Sequence, residues 1–189
     1  MKTPSRIVYS GLLLLGLAGM LTTAAAGAEV DPALQAKLDA QLKQIPAWAS
    51  DPILVKAVKA QNAVLPPEYA AMTQEKWKGL SILDPLARSF TKNEVGQFLK
   101  SKKTEVITEA FVSDAAGLKV GFLGKTSFWS HKGKPKHDLP MTGKTWQGPI
   151  EVDESSGAQQ VQVSMPILDG DKAIGSLVVG LSTSKLGKE

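Results

Sequence analysis

The hydrophobic pattern of this chain changes period once, near Glu105, and that change divides it into a helical half and a stranded half. Before it stand three Asp-Pro pairs, Asp31-Pro32, Asp51-Pro52 and Asp84-Pro85. Each reads as a helix start. The carboxylate accepts from free first-turn amides, and proline, which has no N–H to lose, takes the first helical position. Leu34, Leu38, Leu42 and Ile45 follow the first pair at helical spacing, and Leu54, Ala57, Val58 and Gln61 follow the second. Pro66-Pro67 stops that helix. Thr73 caps a short helix carrying Trp77 and Leu80, and Thr91 with Glu94 reads as a capping box ahead of Val95, Phe98 and Leu99. The apolar stripes are core faces.

After Glu105 the period is two. Glu105 to Val112 reads as a strand, Asp114-Ala115-Ala116-Gly117 as a turn, and Leu118 to Leu123 as the returning strand. A long excursion, Gly124 to Gly148, separates this hairpin from three more strands, Pro149 to Val152, Gln159 to Ile167 and Lys172 to Leu181. Asp153 to Gly157 and Asp169-Gly170 supply the turns. In the fourth strand Val161, Val163 and Met165 alternate with Gln160, Gln162 and Ser164, which gives the sheet two unlike faces. Ile174 to Leu181 is nearly all apolar and belongs at the sheet's centre. With no internal repeat or linker, residues 29–189 are expected to form one α+β domain, helical over 29–104 and stranded over 105–185.

Residues 1–28 read as a signal peptide. Lys2 and Arg6 precede the apolar run Ile7 to Leu21, and Ala26-Gly27-Ala28 offers small residues for cleavage. The run is 15 residues long, shorter than the roughly 17–25 that span a bilayer. Export to the periplasm is expected, with no membrane insertion after cleavage. Loss of Lys2 and Arg6 lowers the net charge from +4 to +2, which offers nucleic acid no electrostatic footing. The absence of Cys excludes disulfides, cysteine-held zinc and thiol chemistry. His131 and His137 lack a standard metal-ligand spacing, and Ser155-Ser156-Gly157 lacks the setting of a nucleophile elbow. No catalytic residue, metal or cofactor is expected.

Three stretches carry a family resemblance. Glu109-Ala110-Phe111-Val112-Ser113-Asp114-Ala115-Ala116-Gly117-Leu118-Lys119-Val120 resembles the leading hairpin of Cache (PDC) domains, which are extracellular PAS-like sensors. Trp146-x-Gly148-Pro149 followed by Asp153-Glu154-Ser155 is similar to their third strand and its turn. Val161-Gln162-Val163-Ser164-Met165-Pro166-Ile167, with Asp169-Gly170 and Ala173-Ile174-Gly175, is similar to their closing hairpin. The resemblance covers residues 105–183. It implies N-terminal helices packed on a five-stranded antiparallel PAS-like sheet, and a pocket on one sheet face roofed by Gly124 to Gly148. It also implies a stand-alone exported sensor that binds a small organic molecule and signals through a membrane receptor or histidine kinase. The alternative is a periplasmic accessory domain for protein–protein contact, without a small-molecule ligand.

Thr126-Ser127-Phe128-Trp129 opens the roof, where relatives often carry Thr-Ser-Asp-Tyr-Trp-Gln-Gly. Trp129 matches that aromatic, while Phe128 departs at Tyr and Ser130 at Gln. Phe128, Trp129 and Trp146 either wall a pocket or clamp the roof to the sheet. Lys125 and Lys144 flank the roof and either meet a carboxylate ligand or stay solvated. Glu109 and Gln162, polar residues within strands, line the pocket if their face is the covered one. Amino-acid-binding double-Cache receptors pair an Arg-x-Trp-Tyr run with an Asp in the last strand. Here no Arg follows Arg88 and Gly180 stands at the aspartate's place, so free amino acids are not expected by that scheme.

Overall fold

The computed structural model describes residues 30–152 and 157–186. The signal-peptide segment and the Asp153–Ser156 part of the predicted turn, with its paired carboxylates, lie outside the described residues. Among the described residues seven helices precede the sheet: α1 (Pro32–Leu42), α2 (Ile45–Ala49), α3 (Pro52–Ala63), α4 (Pro67–Ala70), α5 (Gln74–Gly79), α6 (Pro85–Lys92) and α7 (Glu94–Ser101). The hairpin β1 (Ile107–Asp114) and β2 (Lys119–Phe122) follows. The roof holds α8 (Pro135–Asp138) and a 3-10 turn at Pro140–Thr142. Then come β3 (Trp146–Val152), β4 (Gln159–Asp169), β5 (Lys172–Ser182) and α9 (Thr183–Leu186).

Local capping chemistry places the helix starts. Asp31 accepts from the amides of Ala33 and Leu34, both at 3.0 Å. Asp51 accepts from Ile53 at 2.9 Å and Asp84 from Leu86 at 2.8 Å. Thr73 caps α5 through the Lys76 amide at 3.2 Å. Two expectations need correction. The stripe Leu34 to Ile45 is not one helix: α1 ends at Leu42 and Ile45 opens α2. The capping box at Thr91 is absent, because α6 runs on to Lys92 and the cap of α7 is Asn93. Asn93 Oδ1 accepts from Gly96 N at 2.8 Å while its Nδ2 donates to the Val120 carbonyl at 2.8 Å. One amide thus ends a helix and binds it to β2, whereas the Thr91 hydroxyl turns back to Arg88 O at 2.9 Å.

The sheet is antiparallel with strand order β2-β1-β5-β4-β3, and β5 lies in the middle as its apolar run requires. β3 starts at Trp146, three residues ahead of the predicted Pro149. One face carries Ala110, Val112, Val161, Val163, Leu177, Val179 and Leu181, all buried under Leu38, Ile45, Leu54, Val58, Val95 and Leu99 of the helices. On the other face the register aligns Glu109, Gly180 and Gln162 in one row across β1, β5 and β4, and Phe111, Val178 and Ser164 in the next. A second cluster, Trp77, Phe90, Phe111, Phe122, Trp129 and Val178, covers part of this face. Gln160, Gln162 and Ser164 are buried too. The polar face of β4 therefore lies inside the molecule.

Candidate functional site

α5 clamps the start of the roof from two residues one turn apart. Gln74 Nε2 donates to Ser127 O at 2.9 Å and its Oε1 accepts from Trp129 N at 2.9 Å. This amide treats residues 127 and 129 as a neighbouring strand would. Trp77, fully buried, donates its indole N–H to Thr126 O at 2.7 Å. The resulting anchor sends successive roof side chains to opposite sides. Trp129 enters the aromatic cluster, 5.1 Å from the Trp77 ring and 5.9 Å from Phe90. Phe128 faces a cavity instead.

That cavity, of about 370 Å³, lies between the Glu109–Gly180–Gln162 row and the roof. Its apolar walls are Phe128, Pro135, Trp146 and Val152. Its polar groups form a connected line. Lys136 Nζ donates to Gln162 Oε1 and stands 3.9 Å from Glu151 Oε1. Gln162 Nε2 donates to Glu109 Oε2 at 2.6 Å. Lys134 lies with its ammonium 4.3 Å from the Phe128 ring centroid. Gly180 occupies the middle of the row because a Cβ there would press on Gln160 and on Thr108 Oγ1 at 2.8 Å.

Behind the cavity, at its β2 side, is a buried pair. Lys119 is 0 % exposed and its Nζ contacts His131 Nδ1, with Ser113 Oγ at 3.4 Å. The His131 ring stacks on Phe111 at 4.5 Å between centroids. Burial pushes the Lys119 amine well below the usual lysine range, against the opposing field of Glu109. Burial, reinforced by Lys119 and Lys136, holds His131 far below the usual imidazole range, so it is neutral. His137, also lowered by burial, meets Ser176 Oγ through Nδ1 at 2.8 Å. Among the described residues no three His, Asp or Glu gather as metal ligands.

Of the residues singled out in the sequence, Phe128, Trp146, Glu109 and Gln162 come together around the cavity. Trp129 and Lys125 do not. Trp129 packs into the aromatic cluster, and the Lys125 ammonium lies over the Trp77 ring at 4.8 Å, outside the cavity wall. Lys144 is exposed. Lys119, His131, Lys134, Lys136 and Glu151 are the groups that reading the sequence did not assign. For Lys119 the signal was a lysine inside an otherwise apolar strand, and Lys134 and Lys136 stood in a basic cluster with Lys125 and Lys132.

No protein-family model matches the chain, and no curated protein matches it. Among solved structures it is similar to the sensor domain of the V. cholerae histidine kinase DctB, at 19% identity and TM-score 0.49, over 82% of this chain and 54% of that one. It is similar to the E. coli DcuS sensor domain at 16% identity and TM-score 0.46, over 84% and 97%. The sensory domain of the Campylobacter jejuni chemoreceptor Tlp3 aligns at 14% identity and TM-score 0.44, over 82% and 58%. The chain thus spans about half of the DctB domain and nearly all of the DcuS domain. Helices packed on an antiparallel five-stranded sheet, with the long roof between its second and third strands, are the fold implied by the resemblance to Cache (PDC) sensor domains.

Proposed function

We propose that this protein is an exported sensor domain that binds a small organic molecule in the cavity between roof and sheet and performs no chemistry on it. The observation that carries this reading is the polar line Lys136–Gln162–Glu109 facing a cavity with aromatic walls. A few placed polar groups among apolar walls, in about 300–1,000 Å³, is the usual make-up of a small-molecule site. Phe128 and Trp146 supply flat apolar surface, and Glu109, Glu151, Lys134 and Lys136 supply charge of both signs. Export rests on residues 1–28, and residues 29–189 form the binding domain. No helix among the described residues is long and apolar enough to cross a membrane. Signalling through a membrane receptor or histidine kinase follows from that reading.

The test is a thermal-shift screen of the protein against organic acids, amines and purines. A ligand at 100 times its Kd stabilises the folded state by about 2.7 kcal/mol, which raises Tm by about 5–11 °C in a domain of this size. The response has to disappear in Gln162→Leu while a ligand-free melt remains cooperative. A broad library that shifts nothing favours the accessory-domain reading instead.

A further inference from the structure

The geometry points to Lys119 as the positioning residue of the cavity: it holds His131 with the ring proton on Nε2, so that His131 offers a bound ligand a donor and the site prefers an anionic acceptor. The ligand half of this rests on the binding reading above; the tautomer half does not. Lys119 is enclosed by three neighbours able to accept, namely His131 Nδ1, Ser113 Oγ at 3.4 Å and the Phe111 ring face at 4.3 Å. An ammonium has three N–H donors and no acceptor, so it satisfies all three neighbours at once; a neutral amine has one donor fewer. Burial, the largest effect, and Lys136 disfavour the charge, while Glu109 and Asp114 favour it; either form keeps at least two N–H donors, enough for His131 Nδ1 and Ser113 Oγ.

A neutral imidazole carries one donor and one acceptor nitrogen. With Nδ1 committed as acceptor to Lys119, the proton is on Nε2. The ring cannot turn to evade this, because Phe111 stacks on it and Phe128 meets it edge-on at 5.9 Å. The loop is held as well, since the His131 amide donates to Gly117 O at 2.9 Å. His131 lines the cavity. With Nδ1 turned to Lys119, Nε2 is the ring nitrogen left for the cavity that His131 lines. Lys119, Lys134, Lys136 and His137 all disfavour a charge on the ring. Lys134 and Lys136 in the lining favour a negative ligand group placed against the Nε2–H, and Glu109 and Glu151 of the same lining oppose it.

The experiment is long-range 1H–15N NMR of the protein at pH 7 without ligand. The chain has two histidines, so His137→Gln assigns the His131 signals. We expect the Nε2–H tautomer for His131, and its redistribution in Lys119→Met. An Nδ1–H tautomer or an imidazolium in the wild-type protein overturns the proposal, as does an unchanged tautomer in Lys119→Met. If Lys119→Met does not fold, the wild-type spectrum still decides. The ligand half is read by calorimetry with benzoate and benzamide, which share a shape suited to Phe128 and Trp146 but differ in charge. Benzoate should bind, and bind about tenfold or more tighter than benzamide, the ratio expected for a charge-assisted hydrogen bond. The preference should collapse in Lys119→Met. Equal binding, or no binding of either, overturns the anion preference while the tautomer result stands separately.

Discussion

Gln74→Ala should loosen the roof without touching the cavity. The side chain makes two hydrogen bonds to the roof backbone, to Ser127 O and from Trp129 N, both at 2.9 Å. At about 1 kcal/mol net for each bond, the loss is about 2 kcal/mol. If that energy holds only the roof, local opening around residues 126–130 becomes about 30-fold more frequent, since about 1.4 kcal/mol is a factor of ten. If it is felt globally, Tm falls by about 4–8 °C. Amide hydrogen exchange separates the cases residue by residue. The Trp129 amide loses its own acceptor and must exchange faster in any event, so the informative amides are Phe128 and Ser130, which Gln74 does not touch. Trp77 remains as the second anchor through Thr126 O at 2.7 Å, which keeps the variant folded. Faster exchange at Trp129 alone, with Phe128, Ser130 and Tm unchanged, would refute the idea that α5 holds the roof in place.

Other outcomes follow from the same packing. Gly175→Ala should cost more than Gly180→Ala, because a Cβ at 175 drives into the Ser113 carbonyl and Val58 Cγ1 at 2.9 Å, whereas at 180 it meets side-chain ends. Overpacking of about 1–3 kcal/mol puts the Gly175 variant near the top of that range, read by urea melts. Asn93→Ala should cost about 1–2 kcal/mol as a lost cap, and Thr91→Ala well under half of that; equal costs would return the cap to Thr91. Acid should destabilise the fold below about pH 6.5, the ordinary histidine value from which burial lowers both imidazoles. The unfolded chain then binds protons that the folded one refuses, so stability falls as pH falls, by up to about 1.4 kcal/mol per pH unit for each histidine. Melts from pH 7.5 to 5 in wild type and in His131→Phe/His137→Gln check this, the double variant giving the flatter curve.

Legibility in the sequence followed the range of the forces involved. The Asp-Pro helix starts were readable because a cap is settled within three residues. Thr91 and Asn93 are both good capping residues two apart, and the choice between them is made by the Val120 carbonyl, which belongs to a strand. The alternation along β4 revealed two unlike faces. It could not reveal that helices cover one face and the roof the other. Phe128 and Trp129 look equivalent in sequence. In an irregular segment no period assigns a side, and the side is set by the Gln74 amide more than 50 residues earlier. Lys119 was missed for a related reason. A lysine in a strand reads as solvated unless something covers it, and the cover, His131, sits in the roof twelve residues on.

Ser164 tests whether the buried polar face is built for contact or is merely tolerated. Its hydroxyl is sealed from solvent and has no hydrogen-bond partner among the described residues. In register it sits beside Trp146 of β3 and Val178 of β5, in the row next to Gly180 and Gln162. A buried hydroxyl without a partner costs about 1–3 kcal/mol, and Ala removes it with one atom's loss of volume. If the hydroxyl is an orphan, Ser164→Ala should raise the midpoint of a urea melt by the equivalent of about 1 kcal/mol, the cavity left by one small atom offsetting part of the gain. A lowered midpoint would show that the hydroxyl is satisfied after all, and the line Lys136–Gln162–Glu109 would then have to be read as part of a network that reaches Ser164. Ser164→Val separates volume from polarity: it should destabilise through overpacking against Val178 and Trp146 even if Ala stabilises.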